Sequence, residues 1–214
     1  MSAQTALEYT VIPVTPLVQN CTLLWCPRTR RGAAVDPGGE AGRIQEAARR
    51  AGVVLERVLL THAHIDHVGA AGALGVPVEG PHRDDAFLVD LLEEQSRSFG
   101  VPLEGQLGPP RWLQHGDVVH FGEVELEVLH CPGHTPGHVV YYHRAQRLAL
   151  TGDVLFQGSV GRTDFAGGSF PALARSIRQV LYPLGDDVAF IPGHGPMSTF
   201  GEERRTNPFV AGED

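Results

Sequence analysis

Thr61-His62-Ala63-His64-Ile65-Asp66-His67 places four side chains that bind transition metals within six residues. It follows Val58-Leu59-Leu60, an apolar run that reads as the end of a buried strand, and it runs into the glycine- and alanine-rich Gly69 to Gly72. The segment therefore reads as strand, tight loop and short helix. His62 and His64 are two apart, so an extended or turning backbone aims both imidazoles the same way. Asp66 and His67 lie on the turn beyond, where they can face a second ion. Imidazole and carboxylate without thiolate suit zinc, iron or manganese better than a structural four-cysteine zinc. The plainer alternative is a surface cluster or unrelated core histidines. Four ligands at this spacing directly after a strand speak against it.

Three further segments carry the same kinds of residue in order: Pro132-Gly133-His134, Thr151-Gly152-Asp153 and Pro192-Gly193-His194, preceded by the turn Asp36-Pro37-Gly38-Gly39. Together with T-H-x-H-x-D-H they resemble the metallo-β-lactamase superfamily over nearly the whole chain. Within it the sequence is similar to the glyoxalase II, or hydroxyacylglutathione hydrolase, family. It most resembles the short bacterial subgroup without a C-terminal helical domain. The implied fold is α/β, a four-layer αββα sandwich of two mixed sheets flanked by helices.

The composition bounds the reading. A chain of 214 residues allows one sizeable domain, 1–214, with a real core. No apolar run approaches the roughly 18 residues that span a bilayer, so no membrane association is expected. Met1 to Thr10 lacks a basic start followed by an apolar stretch, which argues against a secretory leader. Cys21, Cys26 and Cys131 form no disulfide framework, and a reducing cytoplasm is expected. The formal net charge of −8 disfavours nucleic acid as a partner. Every Lys or Arg position is arginine, which excludes lysine nucleophiles and Schiff bases.

Along the chain, strands are expected at Tyr9 to Val14, Cys21 to Cys26 and Gly32 to Val35. A helix spans Glu40 to Ala51 with Ile44, Ala47, Ala48 and Ala51 on one face, and Gly52 ends it. A strand follows at Val76 to Val78. Asp84 to Phe99 reads as one amphipathic helix capped by Asp84 or Asp85, with Phe87, Leu88, Leu91, Leu92 and Phe99 packing into the core. The alternative is that Phe87 or Phe99 walls a substrate pocket. Val101 to Arg111 reads as a loop. Val124, Leu126 and Val128 alternate with glutamates, the pattern of a half-exposed strand. Val139 to Tyr142 and Leu148 to Thr151 form a hairpin, Ser169 caps a helix to Leu181, and Val188 to Ile191 is the last strand. The tail from Gly195 is too short for another domain.

Carried over residue by residue, the resemblance implies that His62, His64 and His134 hold one ion. It assigns Asp66, His67 and His194 to a second, with Asp153 as the bridge. Asp36 would support the metal loop; a plain turn-forming role is nearly as natural. His138 reads as structural or supporting, and His82, His115, His120, His130 and His143 as ordinary histidines. Two divalent ions are expected, zinc foremost, with iron and manganese served by the same donors. A hydroxide between them would attack a thioester, with Asp66 orienting it. A thiolate leaves with little help from a general acid, because thiols ionise at a pKa of roughly 8.5. The expected substrate is a small glutathione-derived thioester of the S-lactoylglutathione type. Arg162 is the candidate to grip a glutathione carboxylate, against an internal ion pair with Asp164.

The chief rival is a persulfide dioxygenase, which the chain resembles at Gly161-Arg162-Thr163-Asp164-Phe165 and Arg205-Thr206-Asn207-Pro208. It would use one iron on His62, His134 and Asp153, and act on glutathione persulfide. Pro192-Gly193-His194-Gly195-Pro196 favours a filled second site instead. A non-catalytic metal-binding domain is the remaining alternative. Lactonase, ribonuclease and β-lactamase activities fit less well.

Overall fold

Leu23 and Leu24 are neighbours on one strand and enter different cores, as extended backbone requires. That alternation recurs at Ala33 and Ala34 and at Tyr141 and Tyr142, and it sorts the apolar residues into three buried clusters. Three clusters need four layers. The structure, a computed structural model, describes residues 6–212. Residues 1–5 and 213–214, which include half of the N-terminal stretch read above and the end of the tail, lie outside it.

The first sheet contains β1 (Glu8–Val14), β2 (Gln19–Trp25), β3 (Arg31–Val35), β4 (Val54–Leu59) and β5 (Val78–Glu79), in that order. The first three are antiparallel; β4 and β5 join in parallel. The second sheet takes β6 (Val118–Phe121), β7 (Val124–His130), β8 (Val139–His143), β9 (Leu148–Gly152), β12 (Ala189–Pro192) and β13 (Ser198–Thr199), in the order β13-β12-β9-β8-β7-β6. Among the described residues only β9 and β12 pair in parallel there. A small hairpin, β10 (Leu155–Phe156) with β11 (Ser159–Val160), stands apart.

Leu24, Val35 and Leu59 meet Phe121, Leu126, Val128 and Tyr141 between the sheets. On the outer face of the first sheet lies α1 (Ala41–Arg50), which buries Ala41, Ile44 and Ala48. Gly52 stops that helix at φ +64°, where a side chain would be strained. On the outer face of the second sheet, Ser169 caps α5 (Phe170–Arg175), which continues as a wider π turn over Ser176–Leu181 and buries Leu173, Ile177 and Leu181. Two mixed sheets flanked by helices is the architecture that the resemblance implied.

Local expectations change along 84–99 and at β5. The helix expected over 84–99 breaks at Leu91 into α3 (Ala86–Asp90) and α4 (Leu92–Phe99). Neither Asp84 nor Asp85 caps it: the His82 imidazole accepts from Asp84 N at 3.2 Å, and Asp85 turns inward. Leu88 and Leu92 are buried, whereas Leu91 and Phe99 are exposed. The break lets Gln95 reach back. Its amide donates to Leu88 O and Ala63 O, and its carbonyl accepts from Ile65 N. The strand expected at 76–78 is instead β5, one or two residues later. The tail adds α6 (Phe200–Thr206), capped by Thr199 and anchored by Phe200 stacked on Phe190 at 5.6 Å.

Candidate metal centre

Parallel neighbours and hairpins bring four strand ends to one edge of the sandwich. The Thr61–His67 loop follows β4, His134 follows β7, Asp153 follows β9 and His194 follows β12. Carboxyl ends of strands are where open α/β sheets carry ligands. Loops from both sheets meet there, and Val139 N donates to Thr61 O at 2.8 Å to fasten them.

All seven sequence-predicted donors converge. His64 Nδ1 lies 3.1 Å from His62 Nε2 and 2.9 Å from His134 Nε2. Asp66 Oδ2 lies 3.2 Å from His194 Nε2 and 3.7 Å from His67 Nε2. Asp153 stands between these triads, with Oδ1 3.3 Å from His67 Nε2 and Oδ2 3.6 Å from His134 Nε2. Each triad holds its donor atoms within 4.8 Å of one another, the span of a shared ion. His67 Nε2 and Asp153 Oδ1 are buried without a hydrogen-bond partner. Buried polar atoms are ordinarily satisfied, so two such orphans facing each other suit a cation between them.

The outer nitrogens are held. His134 Nδ1 donates to Arg162 O at 2.7 Å, and His194 Nδ1 to Leu17 O at 3.2 Å. His67 Nδ1 donates to Asp36 Oδ2 at 2.9 Å. Thr61 gives its N–H and hydroxyl to the two Asp36 oxygens at 2.7 Å each, which leaves its hydroxyl oxygen to accept from His62 Nδ1 at 3.0 Å. Every one of these contacts engages the Nδ1 proton and leaves Nε2 aimed inward as the nitrogen free to ligate. The contacts between His64 Nδ1 and its neighbours are then lone pairs facing one another across a cation-sized gap, not hydrogen bonds. Asp36 sits at φ +50°, so it both makes the turn and ties down the metal loop.

Burial and the neighbouring imidazoles push His62 far down and His64 to about 3, so both stay neutral. At His67 burial acts downward too, but Asp153, Asp66 and Asp36 outweigh it and hold the ring well above its usual value. Burial raises the Asp153 carboxyl, and His67, His134 and His194 more than reverse that. His62, His64 and His134 therefore present neutral lone pairs and Asp66 and Asp153 are ionised, while the carboxylates around His67 favour a proton there that a bound cation would displace.

Two supporting residues have no sequence signal. Asp85 is fully buried and joins both loops: its oxygens accept from Ala63 N at 3.1 Å, Thr135 Oγ1 at 2.9 Å and Gly137 N at 2.6 Å. Burial lifts its carboxyl to about 6. Gln95 ties α4 to the same loop. His138, read as supporting, accepts from Asp153 N at 3.0 Å and stacks on His62 at 4.7 Å. Cys21, Cys26 and Cys131 are free and buried.

A cavity of about 590 Å³ opens over the cluster. His64, Asp66, His134, Asp153 and His194 floor it, and Leu17, Leu88, Phe99, Phe156, Val160 and Phe165 wall it. Phe99 therefore serves the pocket rather than the core, while Phe87 is not among the lining residues. Arg162 also lines the cavity, paired at both edges with Asp164: Nε to Oδ1 at 2.7 Å and Nη2 to Oδ2 at 2.6 Å.

These features define a metallo-β-lactamase fold with a His/Asp metal-binding cluster, and the chain belongs to the metallo-β-lactamase superfamily, whose family model matches residues 14–194. A hydroxyacylglutathione hydrolase, GloC, of Haemophilus influenzae is 45% identical over 94% of this chain and 96% of its own length. Among solved structures, BLEG-1 B3 metallo-β-lactamase superposes with a TM-score of 0.87 at 34% identity, covering 96% of this chain and all of its own. TTHA1623 in a di-iron-bound form gives 0.84 at 36% identity, over 94% of this chain and all of its own. The chain is thus a metallo-hydrolase-family protein. Among the described residues no helix is long and apolar enough to cross a membrane.

Proposed function

We propose that the chain is a binuclear metal-dependent thioesterase acting on S-lactoylglutathione-type substrates in the cytoplasm, as one catalytic unit. His62, His64 and His134 would hold one divalent ion, Asp66, His67 and His194 the other, and Asp153 would lie between them. The observation that carries this is Asp153, whose Oδ1 faces His67 while its Oδ2 lies between His134 at 3.6 Å and His194 at 3.8 Å, so the carboxylate stands where the two triads meet and suits a pair of ions. Zinc is the first choice, and iron or manganese fit the same donors. The di-iron form of TTHA1623 and the hydrolase name of the Haemophilus relative support the reading. The three unpaired cysteines support the reducing compartment.

When bound, the ion pair supplies an acidified water and a Lewis acid for the thioester carbonyl. The chain's own residues do the rest. Asp36, Thr61, Arg162 O and Leu17 O hold the imidazoles in the ligating tautomer. Asp66 faces the cavity as a carboxylate, because His67 and His194 outweigh the effect of its burial, and it orients the attacking water. Phe165 lies edge-on to His64 at 4.9 Å and His134 at 5.9 Å and screens them from solvent. In the net reaction a C–O bond forms and the C–S bond breaks. The thiolate takes the electron pair, and the water's protons go to solvent and thiolate.

The test is turnover of S-lactoylglutathione by protein of defined metal content. We expect hydrolysis with about two ions per chain, as two three-donor sites require, and loss of turnover in His194→Ala. No hydrolysis with any of the three metals overturns the substrate. The persulfide dioxygenase reading predicts one iron per chain and oxygen uptake on glutathione persulfide. The second triad around Asp66 favours the hydrolase over it.

A further inference from the structure

Resting on that thioesterase reading, we infer that the pocket recognises the apolar part of a thioester and scarcely reads the charges of glutathione. It therefore accepts thioesters of uncharged thiols about as well, and Asp164 sets this balance by occupying Arg162. A glutathionyl group carries two carboxylates and one ammonium at neutral pH. A site that selects it needs free cations on its walls. Among the described residues Arg162 is the one arginine lining the cavity, and the chain has no lysine to help.

Arg162 is not free. Both edges of its guanidinium meet Asp164, at 2.7 and 2.6 Å, and its plane lies over the Phe165 ring at 4.3 Å. The arginine in turn holds the Asp164 carboxyl down to about 2, so the pair stays ionised at any working pH. An exposed ion pair contributes little stability. That does not release the arginine, because an arriving substrate carboxylate only exchanges one carboxylate partner for another. The exchange leaves a small net gain, and the chain's charge of −8 adds none.

The walls offer something else. Phe99 is 48% exposed and Leu17 46%, both at the cavity, and Phe156, Val160 and Phe165 complete an apolar collar. Covering such surface is favourable for any apolar acyl or alkyl group, whatever thiol carries it. Hydrolysis needs nothing from the thiol beyond departure of the thiolate.

Binding decides the matter without turnover. S-hexylglutathione and the hexyl thioether of N-acetylcysteamine differ in charge and share the apolar chain and sulfur. Calorimetry on the parent protein is expected to give dissociation constants within about fivefold of each other, since no charge-assisted contact separates them. Asp164→Asn frees Arg162 and is expected to shift the ratio about tenfold toward S-hexylglutathione, the worth of one charge-assisted contact. Adding Arg162→Ala to that variant is expected to abolish the shift. A parent that binds S-hexylglutathione far beyond fivefold more tightly overturns the inference. So does an Asp164→Asn ratio equal to the parent's, or a shift that survives Arg162→Ala. In the metal-loaded protein, S-lactoyl-N-acetylcysteamine is expected to turn over alongside S-lactoylglutathione. Failure of both substrates would count against the thioesterase reading, while the binding ratio still judges this one.

Discussion

Asp85→Ala removes the carboxylate that joins the Thr61–His67 loop to the Cys131–His138 loop. Three donors lose their acceptor: Ala63 N, Gly137 N and the Thr135 hydroxyl. Each buried donor left unpaired costs about 1–3 kcal/mol, and water entering the vacated space holds the total toward the low end, about 3 kcal/mol. For a chain of this size about 3 kcal/mol lowers the melting temperature by roughly 6–12 °C. Ala63 sits between His62 and His64, so metal affinity is expected to fall by about tenfold, the lower end of the range for supporting contacts. The assays are thermal unfolding of the metal-free protein and competitive metal titration. Asp84→Ala is the control: its side chain is 57% exposed, and a change within about 0.5 kcal/mol is expected. A pH series adds a sign. Burial lifts Asp85 from about 3.8 unfolded to about 6 folded, so the native state binds the extra proton between those values. The stability gap between parent and Asp85→Ala should narrow as pH rises from about 4 to about 6 and level off above. A variant that melts within about 2 °C of the parent and binds metal equally well would refute the strap, since an unpaired buried donor cannot be that cheap.

Other outcomes follow from the same geometry. His194→Ala should lower metal content from about two ions to about one per chain by elemental analysis, because the second triad loses its partner to Asp66 while the first is untouched. Gly193→Ala should abolish metal binding, since a Cβ there would overlap Asp153 Oδ1 and lie 2.6 Å from His67 Cε1. Gly42→Ala, on the exposed face of α1 with nothing within 4 Å of the new methyl, should instead raise the melting temperature by about 1–4 °C. Chelation of the loaded protein should lower it by about 5–10 °C, as expected for ligand present at about a hundred times its dissociation constant.

The chain itself made much of the His/Asp donor cluster legible. His62, His64, Asp66 and His67 fall within six residues, so their spacing points to a donor cluster, whereas His134, Asp153 and His194 joined it only through the resemblance of their short motifs to the superfamily. Alternation at Val124, Leu126 and Val128 and the helical stripe at Ile44 and Ala48 likewise announced their faces, because period-2 and period-3.6 patterns are local properties. Leu91 shows the limit: the stripe of 84–99 is continuous in sequence, but Gln95 bonds to Leu88 O and the metal loop, and the helix yields. A turn that is good in isolation loses to contacts made by residues thirty positions away.

The role of Asp85 belongs to the tertiary structure alone, and at Phe99 and Arg162 it chose between readings that the sequence left open. An Asp in a run of polar residues reads as a cap, and nothing local says that Ala63, Thr135 and Gly137 will converge on it from two sheets. An aromatic at the end of an apolar stripe reads as core, and its exposure over the cavity depends on where α4 stops. Arg162 and Asp164 could pair or not, and the loop's curvature decides that they do. Donor identity and periodicity are written along the chain because each depends on near neighbours. Which distant group satisfies a buried carboxylate, and which wall faces a cavity, depends on how the two sheets stack, and no stretch of sequence encodes that by itself.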